Sequence, residues 1–318
     1  MLPLNPVRQP RERIREERVE RARWALSQME RCDIPTSDGR WELWEQHHDR
    51  MALAIADEPA ELLRFQASPN IAPQICGGGG ETYLSRLRES VGRSTYSLFL
   101  ATYQESFCGD PQDLVNIDGC SITRSAMRHL YHIGVLHDFC RHMYSNPIDY
   151  VEIGGGYGNM ARLAVQYDIA KRCFIIDFPA SLAVQYYYLT EFFEAEDVAI
   201  RNGDVYLTGS PDSKICLATP ETTPLISDEM SRPNMLVSTM AMTEIPQGGQ
   251  QYYLQNIDSD AVYVFGQTEP TPPQGSHLSG LPQISNQDLF HSLAERFHCA
   301  KFVRGEFYTE ILGIRPTA

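Results

Sequence analysis

From residue 148 onward the chain alternates short apolar runs with stretches of helical length. The runs are Tyr150-Val151-Glu152-Ile153, Cys173-Phe174-Ile175-Ile176, Asn234-Met235-Leu236-Val237 and Ala261-Val262-Tyr263-Val264-Phe265. The stretches between them, 158–168, 179–195 and 247–258, are long enough to be helices. Strands apolar at nearly every position are covered on both faces, and strands separated by helices build βαβ units on a parallel sheet. Lys214 to Ala218 adds a strand within the proline-bearing segment 205–233. At the C-terminus, Phe297 to Val303 and Tyr308 to Ile314 flank Gly305 and predict an antiparallel pair at the sheet edge.

Before residue 145 the pattern is helical. Residues 8–31 hold eight Arg and five Glu interleaved with Ile14, Val19, Trp24, Leu26 and Met29. Such mixed charges suit i,i+4 pairing on a helix with one apolar stripe; an arm for self-association is the alternative. After a break at Pro35 to Gly39, a second helix is expected from Trp41 to Phe65, with Trp41, Trp44, Met51, Leu53, Leu62 and Leu63 in the core. Pro69 to Gly80 reads as a loop. Its closing glycines, Gly77 to Gly80, make a connector and not a P-loop, because no strand precedes them and no Lys-Ser/Thr follows. Helices are expected at 82–91, 95–107 and 121–143, with turns at Gly109-Asp110-Pro111 and Asp118-Gly119. No period-two alternation interrupts them. The expected organisation is a helical cap over 1–145 and an α/β domain over 146–318.

Composition narrows what such an architecture does. The 318 residues are 42% apolar and 21% charged, a globular balance. Their net charge of −14 argues against nucleic acid, whose affinity comes from Lys and Arg, and against an anionic membrane surface. No apolar run approaches the ~20 residues of a membrane span, and the N-terminus carries no apolar signal core. The eight cysteines form no C-x-x-C pair and no zinc spacing, so no metal site is assigned and a reducing compartment, the cytoplasm, is expected.

The chemistry points to one strand-to-helix junction, Val151-Glu152-Ile153-Gly154-Gly155-Gly156-Tyr157-Gly158-Asn159. Glycines there permit a tight turn and a close backbone approach to a ligand. The pattern is acid-x-Gly-x-Gly-x-Gly at Glu152, Gly154, Gly156 and Gly158. It differs from the dinucleotide G-x-G-x-x-G in its early third glycine and in the acid at the strand end. A pyrophosphate would meet that carboxylate unfavourably, whereas S-adenosylmethionine brings a cationic sulfur and an ammonium. The next strand ends in Asp177, nineteen residues after Gly158, where an acid can accept ribose hydroxyls.

Glu152 to Gly158, with Ile175-Ile176-Asp177-Phe178-Pro179-Ala180-Ser181, resembles the sugar O-methyltransferases of bacterial polyketide and glycoside pathways. Glu105 to Pro111, the helix around Arg128–Tyr131 and Ser238-Thr239-Met240-Ala241-Met242-Thr243-Glu244-Ile245 share in the resemblance, which covers roughly residues 100–315. The last motif departs from the family's Ser-x-x-Glu-Met: Ala241 stands in place of Ser and Ile245 in place of Met. The resemblance implies a Rossmann-like class I methyltransferase sheet behind an N-terminal helical region. It also implies an S-adenosylmethionine-dependent O-methyltransferase for a hydroxyl of a sugar or glycosylated small molecule.

The expected cofactor contacts are Glu152, Gly154, Gly155, Gly156, Tyr157, Gly158, Asp177 and Phe178, with Thr239 from the fourth strand and Arg128 holding the cofactor carboxylate. Methyl transfer needs a positioned nucleophile and a proton acceptor; Glu244 is the first candidate and His132 the second. The segment Gln267 to Gln283, rich in Pro and Gly and carrying His277, reads as a lid or binding loop. A small-molecule substrate is expected, with no nucleic-acid or membrane partner; self-association, methyl transfer to nitrogen or carbon, and a non-catalytic binding protein all stay open.

Overall fold

The computed structural model describes residues 8–29, 39–76, 80–267, 286–304 and 308–316. Its helical part runs α1 (Arg8–Gln28), α2 (Gly39–Asp57), α3 (Ala60–Leu63), α4 (Ala72–Ile75), α5 (Glu81–Thr102) and α6 (Arg124–Met143). The single helix expected over 41–65 is divided, because Pro59 lacks the N–H that would continue α2. Leu53 and Leu63, expected in the core, are 61% and 41% exposed. The two helices expected at 82–91 and 95–107 follow one another in α5, broken at Gly92 (φ 76°). A hairpin, β1 (Val115–Ile117) and β2 (Cys120–Ile122), was not expected. Its turn is Asp118-Gly119, both at positive φ, and strands of three residues are too short to show an alternation.

α6 begins at Thr123, whose hydroxyl accepts the Ala126 N–H. It is buried along most of its length against α5; a side chain at Gly134 would collide with Leu87. The connector at 77–79, the break at 30–38, the loop 268–285 with His277, Gly305 and the side chain of Trp41 lie outside the described residues.

The α/β part runs β3 (Ile148–Ile153), α7 (Asn159–Gln166), β4 (Ala170–Ile176), α8 (Pro179–Leu189), β5 (Val198–Asn202), β6 (Val205–Thr208), β7 (Ile215–Ala218), α9 (Thr223–Glu229), β8 (Asn234–Thr239), α10 (Ala241–Glu244), α11 (Gln247–Asn256), β9 (Ala261–Gln267), α12 (Gln287–Arg296), β10 (His298–Arg304) and β11 (Tyr308–Ile314). The sheet order is β10-β11-β9-β8-β3-β4-β7-β5-β6. The central strands are parallel; β11 and β10 close one edge and β6 the other in antiparallel pairs. β3 is buried at every residue and alternates: Ile148 and Tyr150 face the helical part, Val151 and Ile153 the α9, α11 and α12 side. The expected Rossmann-like α/β sheet is what the chain forms, with an antiparallel pair at its edge. The chain leaves β3 for β4 on one side and returns to β8 on the other, so a crevice opens at their carboxyl ends. The β5–β6 hairpin is the addition that the strand pattern did not predict. Elements change type near residue 145, yet one apolar cluster joins Met51, Phe65, Ile75 and Leu87 to Tyr150, Leu163 and Tyr187 across that point.

Candidate active site

At the end of β3 the backbone turns into α7 through Gly154, Gly156 and Gly158, at φ 73°, 55° and 92°. Residues with a Cβ rarely adopt these angles, which is the local reason for the glycine spacing. Gly154 N–H donates to the Ile176 carbonyl (3.0 Å), and Gly155 N–H donates to Asp177 Oδ2 (3.0 Å), so loop and neighbouring strand are tied together. A Cβ on Gly154 would strike that of Ala241, and one on Gly156 would lie 2.7 Å from the Ile75 carbonyl oxygen. The glycine at 156 thus admits the cap's own backbone.

A cavity of about 580 Å³ opens over this loop. Gly154, Gly155, Gly156, Glu152, Asp177, Phe178, Thr239, Glu244 and Arg128 all line it. Tyr157 and Gly158 do not: Tyr157 is buried against Phe65 and Tyr188, and Gly158 turns the chain into α7. The cap supplies walls that sequence reasoning missed, Trp44 and His48 from α2 and Gln74 and Ile75 around α4. No local pattern marks them, since Trp44 meets its partner, the Glu244 carbonyl, 200 positions along the chain (Nε1–O 3.2 Å). Met240, at φ 86° on a residue with a side chain, is a strained wall residue just beyond β8.

Three carboxyl groups face the cavity, each shifted upward by burial. Glu152 is pushed up to about 8 by burial, opposed by the Tyr150 phenol and reinforced by the charge of Asp177. Its Oε2 is buried without a hydrogen-bond partner. Asp177 is pushed up to about 6, opposed by the bonds its carboxylate accepts. Oδ2 accepts from Gly155 N–H and from Gln185 Nε2 (2.8 Å), and Oδ1 accepts from Phe178 N–H (2.8 Å). Gln185 also donates to the Gly156 carbonyl (3.0 Å), bracing the loop. Sequence reasoning missed it; the available signal was the i,i+4 polar pair it makes with Ser181 on an otherwise apolar helix. Glu244 is pushed up to about 7, and the Arg128 charge pulls it partly back.

His132 stands outside the cavity lining and is fully buried. Tyr263 donates its hydroxyl proton to Glu310 (2.8 Å), so its oxygen accepts from His132 Nδ1 (2.7 Å). Tyr131 and Lys301 also bind Glu310, each at 2.8 Å. Burial, together with nearby cations led by Arg128, holds the imidazole well below its ordinary range. His132 is a node of a buried network between α6, β9 and β11, which is the wrong place for the expected second base. His129, one turn away, does line the cavity, and its Nδ1 is held by the Asn159 side chain (2.9 Å).

Among the described residues no group of three or more His, Cys, Asp or Glu is placed to hold a metal ion, and no helix is long and apolar enough to cross a membrane. Neither a family model nor a curated protein matches the sequence. Among solved structures, the chain is similar to the pyocyanin biosynthetic protein PhzM at 15% identity and TM-score 0.37, over 60% of this chain and 58% of that one. It is similar to M. capricolum TrmK in complex with S-adenosyl-homocysteine at 9% identity and TM-score 0.37, over 58% and 68%. It is also similar to the methyltransferase domain of bacterial CtHen1 at 12% identity and TM-score 0.39, over 57% and 97%. The match thus spans less than two thirds of the PhzM chain.

Proposed function

We propose that the protein is an S-adenosylmethionine-dependent O-methyltransferase acting on a hydroxyl of a sugar or glycosylated small molecule. The observation that carries this reading is the pair Glu152 and Asp177 beside the glycine loop. Two carboxyl groups, Glu152 buried with an unpartnered oxygen and Asp177 half-buried beside it, favour a cationic ligand and disfavour a pyrophosphate. The residues therefore fit S-adenosylmethionine, which supplies an electrophilic methyl on a sulfonium when bound. Glu152 Oε2 is the acceptor available to its ammonium. Asp177, which accepts from Phe178 N–H on Oδ1 and also from the Ser181 side chain, stands at the strand end as the acid for a ribose hydroxyl. Phe178, stacked on His48 at 4.2 Å, offers a flat apolar wall for a base.

Glu244 is the proton acceptor for the attacking hydroxyl. A carboxyl group with a pKa near neutrality is matched to that task, and the Trp44 indole holds the backbone at this residue. A concave cavity of about 580 Å³ in a chain of net charge −14 suits a small acceptor better than a nucleic acid. Calorimetry with S-adenosylmethionine, followed by transfer of a labelled methyl to a panel of glycosides read by mass, tests the proposal. Binding without transfer to any hydroxyl would leave a binding protein, and no binding would remove the cofactor altogether.

A further inference from the structure

The charges around the cavity are sorted. Asp177 is the charge that acts on Glu152, whereas Arg128 is the charge that acts on Glu244. Arg128 and Arg86 both act on the Tyr83 phenol and on His132, which gathers the two guanidiniums around one aromatic pair. Both line the cavity, Arg86 exposed at its rim with its guanidinium 5.8 Å from the Tyr83 ring centroid. Neither has an ion pair among the described residues, whereas the partly buried Arg172 and the buried Arg201 each hold a carboxylate. The Nε of Arg128 is buried with no hydrogen-bond partner.

From this we infer that the acceptor carries an anionic group, a carboxylate or a phosphate, held by Arg128 and Arg86 at the Glu244 end of the cavity. The inference rests on reading the cavity as a methyl-transfer site. Guanidinium groups match both anions in planar, two-point geometry, and a partly desolvated cation left without a counter-charge recruits one. One carboxyl group, Glu244, faces the Arg128 guanidinium there, in a chain whose acids outnumber its bases 41 to 27. Arg128 is thereby moved from the cofactor carboxylate, its sequence-based assignment, to the acceptor. An anion placed there would anchor the substrate while the neighbouring hydroxyl is presented to Glu244.

The test is titration calorimetry on the full chain saturated with S-adenosylhomocysteine. The probes are glucose, glucuronate and glucose 6-phosphate, with inorganic phosphate and benzoate as anions without a sugar. One of the two sugar anions should bind about tenfold or more tighter than glucose, and which one does so tells carboxylate from phosphate. R86Q and R128Q should each remove about tenfold of that preference and leave the affinity for S-adenosylhomocysteine unchanged. Equal binding of the three sugars overturns the proposal, as does a preference that survives the double variant or the absence of arginine-dependent binding by any anion. A tenfold loss of S-adenosylhomocysteine affinity in R128Q alone returns Arg128 to the cofactor and also overturns it. Arginine-dependent binding of phosphate or benzoate without any sugar keeps the anion site and sinks the sugar reading; failure of the wild type to bind S-adenosylhomocysteine sinks the methyl-transfer reading itself.

Discussion

A carboxyl group that burial holds near pH 7 is half ionised at neutrality, and Glu244 is in that position. If it removes the acceptor proton, kcat/KM rises with pH through about 7 in the free enzyme. The limb moves lower at saturating cofactor, because a sulfonium cation favours the carboxylate. E244Q should abolish the limb and lower turnover by roughly 10²–10⁴ with cofactor affinity intact; turnover within a few-fold of wild type would strip Glu244 of the role. Asp177 behaves differently, because its carboxylate braces the loop as well as facing the ligand. D177A should weaken S-adenosylmethionine by ~1–3 kcal/mol and also lower the melting temperature, since Gly155 N–H and Gln185 lose their acceptor. Calorimetry showing full affinity would place the ribose elsewhere.

At the scale of elements, the cap and the loop meet where α4 ends. Gly156 combines φ 55° with the Ile75 carbonyl at 2.7 Å from where a Cβ would sit. G156A should therefore cost ~1–3 kcal/mol of stability from the backbone angle and displace α4, loosening cofactor binding in step. A thermal melt that matches wild type would show that the cap does not press on the loop as described. The junction of α6, β9 and β11 makes the opposite forecast for His132. H132F keeps the ring but removes the bond to Tyr263, so it should destabilise the protein by about 1–3 kcal/mol with kcat nearly unchanged in the folded fraction. A drop in kcat of a hundredfold at full folding would restore His132 to the chemistry. The β5–β6 hairpin and the hairpin before α6 carry no such role; they extend an edge and seat a helix start.

For the whole molecule, the cavity acids set a dependence of stability on pH. Glu152 is raised to about 8 in the folded protein, against the ordinary carboxyl value near ~4.3 when unfolded. Between those values the unfolded chain has released its proton and the folded one retains it. Folding then takes up a proton, so the stability of the ligand-free protein falls as pH rises across the window. Asp177 and Glu244 act in the same direction; Asp149 and Glu61, held low, matter only in acid. E152Q removes the charge that must be buried, so its melting temperature should decline less than wild type from pH 5 to 8. Parallel melting curves for the two would mean that Glu152 is not the buried acid described.

What the chain determined by itself is local. β3, β4, β8 and β9 were legible because strands covered on both faces are apolar at almost every position. The glycine loop was legible because its positive φ angles are demanded within five residues, and Asp177 because it directly follows the next strand of the same βαβ unit. Tertiary structure decided everything that rests on distant partners. Trp44 reaches Glu244, Ile75 reaches Gly156, and Arg86 joins Arg128 in lining one cavity, none of which leaves a periodic trace. The same holds for His132 and His129 on α6, close in sequence, of which only His129 lines the cavity. Their spacing shows that two side chains share a helix, but the packing of β9 and β11 against it decides which one meets the cavity and which is buried.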